Sequence, residues 1–220
     1  MPSSKRAKKV SLTKTKKKPA AEARSSYVDA LRSSVEGADA VYVVGIDAHA
    51  RPTKFKALRA SLPGGSSLTL GKKTLMRLAL GDSEETELKP GLRTLTEAIE
   101  GGHAILATSA PRSDVEACLA AAVAPEFATA GFVAPATVRL ERGPLDAAKF
   151  PVSMHAALKK LDLPVEVSDS KLDLVDDWRC ATAGRPLTPA QAKMLEHLDM
   201  RVHEFKPVIV KAYVGGAVTA

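Results

Sequence analysis

Short β-branched runs alternate with amphipathic helical segments through the first half of the chain, and this alternation restricts the fold more than any other feature. VYVVGI (41–46) reads as a buried strand. ARPTKFKALRASL (50–62) then switches to helical period through Phe55, Leu58 and Leu62, and Pro63, Gly64 and Gly65 end it. SLTL (67–70) reads as a second strand and KTLMRLAL (73–80) as a second basic helix stopped by Gly81. LRTLTEAI (92–99) follows as helix, HAILAT (103–108) as strand and SDVEACLAAAV (113–123) as helix, with Ser113 the expected N-cap. Ahead of them, Tyr27, Val28, Leu31 and Val35 recur at helical spacing between Ala20 and Glu36, before Gly37. Such alternation predicts helices layered on a sheet.

After Pro125 the pattern changes. TVRL (137–140), PVEV (164–167) and KLDLV (171–175) are short strand candidates separated by Gly143-Pro144, Pro151 and Asp169-Ser170, as in a separate small domain. TPAQAKMLEHL (188–198) is a helix with Thr188 as N-cap and Pro189 at its first position. FKPVIVKAYV (205–214) is a last strand, with Pro207 favouring an edge at its start. Pairing of this strand with the first sheet makes the intervening residues an insertion. The expected fold is a mixed-sheet α/β domain with a small inserted α/β domain and a disordered basic N-terminal arm. Its boundaries are 1–21 for the arm, 22–124 for the first part of the main domain, 125–186 for the insertion and 187–220 for the return segment.

A hydrophobic content of 45% excludes full disorder, whereas 4% aromatics leave too few rings for a stacking platform along a single strand. Recognition then runs through charge and shape. Residues 1–21 hold eight cations, Lys5, Arg6, Lys8, Lys9, Lys14, Lys16, Lys17 and Lys18, and no acid. Against a net charge of +7 this leaves the rest of the chain one unit negative. A near-neutral body behind a basic arm suits tethering to a polyanion through phosphate neutralisation. Cys118 and Cys180 lie in no disulfide or zinc spacing, and no apolar run approaches the length of a membrane span. A soluble intracellular protein is expected.

From Ala48 to Gly81 there is no acid, while Arg51, Lys54, Lys56, Arg59, Lys72, Lys73 and Arg77 supply seven positive charges. Lys73 and Arg77, four apart, share a helix face, with Thr74 at the same helix start and Lys72 ahead of it in the Gly71 turn. Backbone amides at that start point toward an incoming phosphate. Lys54 and Arg59 flank the apolar stripe of the preceding helix and Lys56 lies on its far side. Taken singly these are solvated faces with snorkelling stems. Taken with the arm's Lys14, Lys16, Lys17 and Lys18 they form a candidate RNA-binding surface. GSSLTLGKKT (65–74) fails as an NTP-binding loop because Ser66 and Lys73 stand where glycine and a hydroxyl residue are required. His49, His103, His155, His197 and His203 have no metal-ligand spacing, and Asp173, Asp176 and Asp177 have no partner base. No catalytic residue, metal or cofactor is assigned.

VSLTKTKKK (10–18) resembles the opening signature of eukaryotic ribosome assembly factors in the L10/P-zero large-subunit stalk protein family, and LGKKTLMRLALG (70–81) is similar to a segment of that family's rRNA-binding domain. ERGPL (141–145), FPVSMHAALKKLDLP (150–164), LTPAQAKMLEHL (187–198) and EFKPVIVKAYV (204–214) look like its insertion domain and the return from it. Lys73 departs from the asparagine frequent at that position. The resemblance implies a domain docked on stalk-base rRNA of the large subunit beside an L11-family protein, with an inserted domain projecting outward. It also implies nucleolar and nuclear residence on pre-ribosomal particles alongside other assembly factors. GGAVTA at the end, in place of an acidic tail, resembles the assembly factor, a placeholder later exchanged for P-zero. Two other readings stand beside it: a mature stalk-base protein, and an RNA-processing or decay enzyme, for which no residues are found.

Overall fold

The computed structural model describes residues 20–83 and 85–219. Lys14, Lys16, Lys17 and Lys18 of the arm lie outside the described residues. The first half contains α1 (Ala20–Glu36), β1 (Ala40–Gly45), α2 (Pro52–Ser61), β2 (Ser67–Leu70), α3 (Lys73–Leu80), α4 (Arg93–Glu97), β3 (His103–Thr108) and α5 (Arg112–Ala121). These elements match the predicted alternation.

The second half contains β4 (Ala124–Glu126), β5 (Val138–Leu140), β6 (Gly143–Pro144), α6 (His155–Lys159), β7 (Val165–Ser168), β8 (Lys171–Leu174) and β9 (Trp178–Ala181). α7 (Pro189–His197), β10 (His203–Phe205), β11 (Val208–Val214) and β12 (Ala217–Thr219) complete it.

The main sheet has the order β12-β11-β1-β3-β2, and every neighbouring pair is antiparallel. β1 and β2 both run antiparallel to β3, so they run parallel to each other without touching. α2 is the crossover between them. This arrangement has a geometric consequence for the site. Gly45 at the end of β1 pairs with His103, and Leu70 at the end of β2 pairs with the next residue, Ala104. The loops that follow β1 and β2 therefore leave the sheet at the same edge, and each feeds a helix N-terminus there.

β1 is buried on both faces because helices cover both. Val41, Val43, Ile105 and Ala107 face a core built with Val28, Leu31 and Val35 of α1, Met76, Ala79 and Leu80 of α3, and Leu95 of α4. Ala40, Tyr42, Val44 and Leu106 face a second core with Leu58 of α2 and Val115 and Leu119 of α5. An unbroken apolar run is what a strand between two helical layers requires.

α5 begins two residues earlier than Ser113 as N-cap would set. Pro111, in extended conformation, is the N-cap, with no side-chain cap hydrogen bond, and the Ser113 hydroxyl donates to Asp114 at 3.2 Å within the first turn. Proline at the boundary fixes the extended backbone, so the serine falls inside the helix. The segment 205–214 also divides at Lys206-Pro207 into β10 and β11. β12 covers only Ala212–Val214, which leaves the start of β11 with an open side next to Pro207, as expected.

The second unit has its own core, which includes Ala134, Phe150, Leu158, Leu172 and Leu174. Ala192, Met194 and Leu195 of α7 lie in that same core. The helix placed by sequence in the return segment is thus packed into the insertion, and the chain turns back to the main sheet only after it. Its start is set as read: Gln191 N–H donates to the Thr188 hydroxyl at 3.2 Å and Thr188 N–H to the Gln191 side chain at 2.9 Å. The two crossings between units run side by side, since β4 leading out pairs antiparallel with β10 leading back, Glu126 opposite His203. This ribbon is the neck of the insertion.

Candidate nucleic-acid interface

The shared edge of the main sheet gathers the basic loops. α3 starts at Lys73 with Lys72 as N-cap, α2 starts at Pro52 with Arg51 as N-cap, and neither helix has a side-chain cap. Lys54 N–H and Leu75 N–H donate to the N-cap carbonyls of Arg51 and Lys72, and Pro52 has no N–H, which leaves the amides of Thr53 in α2 and of Lys73 and Thr74 in α3 for an external acceptor. Lys72, Lys73 and Thr74 are exposed. Between the two loops runs a groove of about 390 Å³, lined by Ile46, Asp47, Pro52, Phe55, Leu70, Gly71 and Gly102 among others. The sequence places Arg51 and Lys72 on separate helices; the topology brings their loops to one groove.

Gly71 sets the path of the second loop. A Cβ there would stand 2.1 Å from the Tyr27 hydroxyl of α1. Tyr27 is half-buried, its hydroxyl oxygen is buried without a partner, and burial raises its pKa. Glycine is needed for this close approach of loop to ring. Gly71→Ala is expected to swing Tyr27 out of its seat and lower stability by about 1 kcal/mol, a scale typical of mild overpacking. Thermal denaturation of the variant, alone and combined with Tyr27→Ala, measures it. The alanine should cost little once the ring is absent.

The other predicted cations divide by environment. Lys54, Lys56, Lys72 and Lys73 have no carboxylate within 4.0 Å among the described residues. Lys56 is exposed on the outer face of α2, and Lys54 lines a second groove between α2 and α5 with Ser61 and Cys118. The Arg59 guanidinium lies 5.0 Å over the Phe55 ring, beside the first groove. Arg77 is half-buried: its Nη2 donates to the Ile99 carbonyl at 3.4 Å and its Nε is buried without a partner. It shares a face with Lys73 as the spacing predicts, but it ties α3 to the end of α4.

Arg51 has a different place from the one read in sequence. Its Nη1 donates to Glu196 of α7 at 3.2 Å, its Nε lies 3.9 Å from Glu126, and its guanidinium sits 5.2 Å from the Phe127 ring centroid. Arg201 lies over the same ring at 5.1 Å. Arg51 therefore binds the main domain to the neck and the insertion. Beside it the Asp47 carboxylate pairs with His203 Nε2 at 3.0 Å, His49 Nδ1 meets the Thr129 hydroxyl at 2.9 Å, and Phe132 packs edge-on against both histidine rings. Nothing in the sequence links these residues, because Asp47 and His203 are 156 positions apart. Among the described residues no group of histidine, cysteine and carboxylate side chains is arranged to hold a metal ion. Burial pushes the Cys180 thiol up to about 11, consistent with a core side chain.

Two carboxylates of this contact ionise more easily than usual. For Asp47 burial opposes ionisation, yet the His49 N–H and the His203 ring outweigh it and hold the pKa below its ordinary value. For Glu196 the hydrogen bonds from Arg51 and Lys193 do the same. A lowered folded-state pKa adds stability above the ordinary carboxylate value that is lost as pH falls through the folded value. Acidification below about pH 4 should thus loosen the neck before the central sheet. Hydrogen exchange as a function of pH reads this as early loss of protection around Glu126–Phe132; uniform loss across both cores would contradict it.

The family model described as Ribosomal protein L10 matches residues 19–122, and the one described as the insertion domain in the corresponding 60S ribosomal protein matches residues 128–200. Ribosome assembly factor mrt4 of Dictyostelium discoideum is 29% identical over 206 residues, covering 94% of this chain and 90% of that protein. Ribosome assembly factor MRT4 of Saccharomyces cerevisiae is 28% identical over 224 residues, 97% of this chain and 93% of that protein. Large ribosomal subunit protein uL10 of Thermococcus gammatolerans is 28% identical over 173 residues, 79% of this chain and 49% of that protein. The first match falls on β1, β2 and β3 of the main sheet with helices α1 to α5, and the second on the inserted core through α7. Residues 19–122 of the chain thus match the ribosomal protein L10 family, and residues 128–200 the insertion domain of its 60S member.

Proposed function

We propose that this chain is a non-enzymatic assembly factor of the large ribosomal subunit. It binds stalk-base rRNA in precursor particles and holds the site until the P-zero stalk protein replaces it. The observation that carries this reading is the likeness to ribosome assembly factors along nearly the whole of both chains, 94% of this one and 90% of the Dictyostelium protein. The uncapped starts of α2 and α3, with the exposed Lys72 and Lys73, supply a surface suited to phosphates. The binding residues we assign are Lys72, Lys73 and Thr74, with Lys54, Lys56 and Arg59 around them. Lys14, Lys16, Lys17 and Lys18 act as a tether or as a nuclear import signal. Arg51 and Arg77 position the surface from behind. The neighbour on the particle is an L11-family protein, and the site of action is the nucleolus and nucleus.

A second reading, a stalk-base protein of the mature ribosome, draws on the identity to the archaeal uL10 protein. Sedimentation of cell extracts separates the two. A placeholder co-migrates with precursor large subunits and is missing from translating polysomes; stable presence in polysomes reverses the choice.

A further inference from the structure

We propose that the groove between the β1–α2 and β2–α3 loops is a pocket for one unstacked guanine base of the bound RNA. This rests on the RNA-binding reading above and goes beyond it by naming what the groove takes. Its volume, about 390 Å³, has room for a purine, and Ile46, Pro52, Phe55 and Leu70 give it apolar walls. Leu70 is 46% exposed at the lip, an unusual position for a large apolar side chain beside two exposed lysines. Phe55 brings an aromatic ring to the wall, backed by the Arg59 guanidinium 5.0 Å from its centroid, and aromatic rings stack well on bases.

Lys72 and Lys73 follow Gly71 directly at the mouth of the groove, and its lining is apolar apart from one carboxylate. From Ala48 to Gly81 the sequence has no acid, and among the described residues the one carboxylate lining the groove is Asp47. An anion repels phosphate, so Asp47 has no place in a site for backbone alone. As an acceptor it suits a base edge that presents N–H donors, and guanine presents two adjacent ones, N1–H and N2–H, on its Watson–Crick edge. The Asp47 oxygens hold bonds from the His49 amide at 2.8 Å and the His203 ring at 3.0 Å, which fix the carboxylate and leave each oxygen a further lone pair. The flanking phosphates then meet Lys72 and the open first-turn amides of α3. An apolar side chain of a neighbouring protein would fit the walls, but it offers nothing to Asp47 or to the lysine rim.

The test is binding of the full chain to a transcript of the stalk-base region of large-subunit rRNA, with each unpaired guanosine replaced in turn by inosine, which lacks the N2 amine. One replacement should weaken binding about tenfold, the scale of one good base contact. Asp47→Asn should make binding insensitive to that replacement. Ala48 is exposed on the groove, so Ala48→Leu fills it without entering a core and should weaken binding tenfold or more, with the salt dependence unchanged. Wild-type affinity in Ala48→Leu, with binding still lost in Lys72→Glu/Lys73→Glu, overturns the pocket and leaves the RNA reading standing. Normal RNA affinity in Ala48→Leu with loss of association to precursor particles assigns the groove to a protein and also overturns it. Failure of the wild-type chain to bind the transcript removes both.

Discussion

Lys72→Glu/Lys73→Glu is expected to lower affinity for large-subunit rRNA by about a hundredfold or more at moderate salt, while the melting temperature stays within about 2 °C. Both side chains are exposed, and neither has a carboxylate partner among the described residues. Substitution of exposed, unpaired surface residues typically changes stability by no more than about 0.5 kcal/mol. On the proposed reading two phosphate contacts are lost and two repulsions added, so the slope of log affinity against log salt should flatten by about 2. Filter binding across a salt series, with circular dichroism on the same samples, gives both readings. An unchanged salt slope would place the phosphates elsewhere. Arg77 does not belong in this double variant: its bond to the Ile99 carbonyl and its buried Nε make Arg77→Glu a lesion in the α3–α4 contact.

Arg51→Ala has the opposite profile. Glu126 is 6% exposed, one of its oxygens is buried without a partner, and Arg51 is the cation beside the other. Removing one member of a buried pair costs about 3–5 kcal/mol. Arg51 keeps 29% exposure and its distance to Glu126 is long, so we expect about 2 kcal/mol. For a chain of this size that lowers the melting temperature by about 4–8 °C. Adding Glu126→Gln should recover part of the loss, because a neutral amide tolerates the site better. RNA affinity measured well below the transition should fall by less than about threefold, since the guanidinium faces the neck and not the phosphates. A large affinity loss with unchanged stability would return Arg51 to the phosphate site that its sequence position suggests.

The contrast between these arginines and lysines shows where sequence reasoning reaches. Periodicity locates β1, β2, β3, α2 and α3 within a residue or two, because each is a local pattern of apolar positions over one core. The acid-free run picks out the loops that share the groove because it too is a local pattern. Exposed Lys72 and fixed Arg51 look alike in sequence, yet the carboxylates that distinguish them are Glu126 and Glu196, the latter 145 positions away. Asp47 and His203 are legible only as isolated polar residues. β4 and β10 have three residues each and no periodicity, so the neck they form leaves no trace in the pattern. α7 is recognisable as a helix but falls to the wrong core, because its capping box fixes its start and says nothing of its packing partner.

Crosslinking of the protein to RNA in living cells, with mapping of the contacted nucleotides and peptides, tests the central claim most directly. The account predicts crosslinks concentrated on stalk-base nucleotides of precursor large-subunit rRNA, carried by the peptides around Ile46–Phe55 and Leu70–Arg77. Crosslinks confined to other rRNA regions, or to the insertion domain with those two loops unmarked, would contradict it.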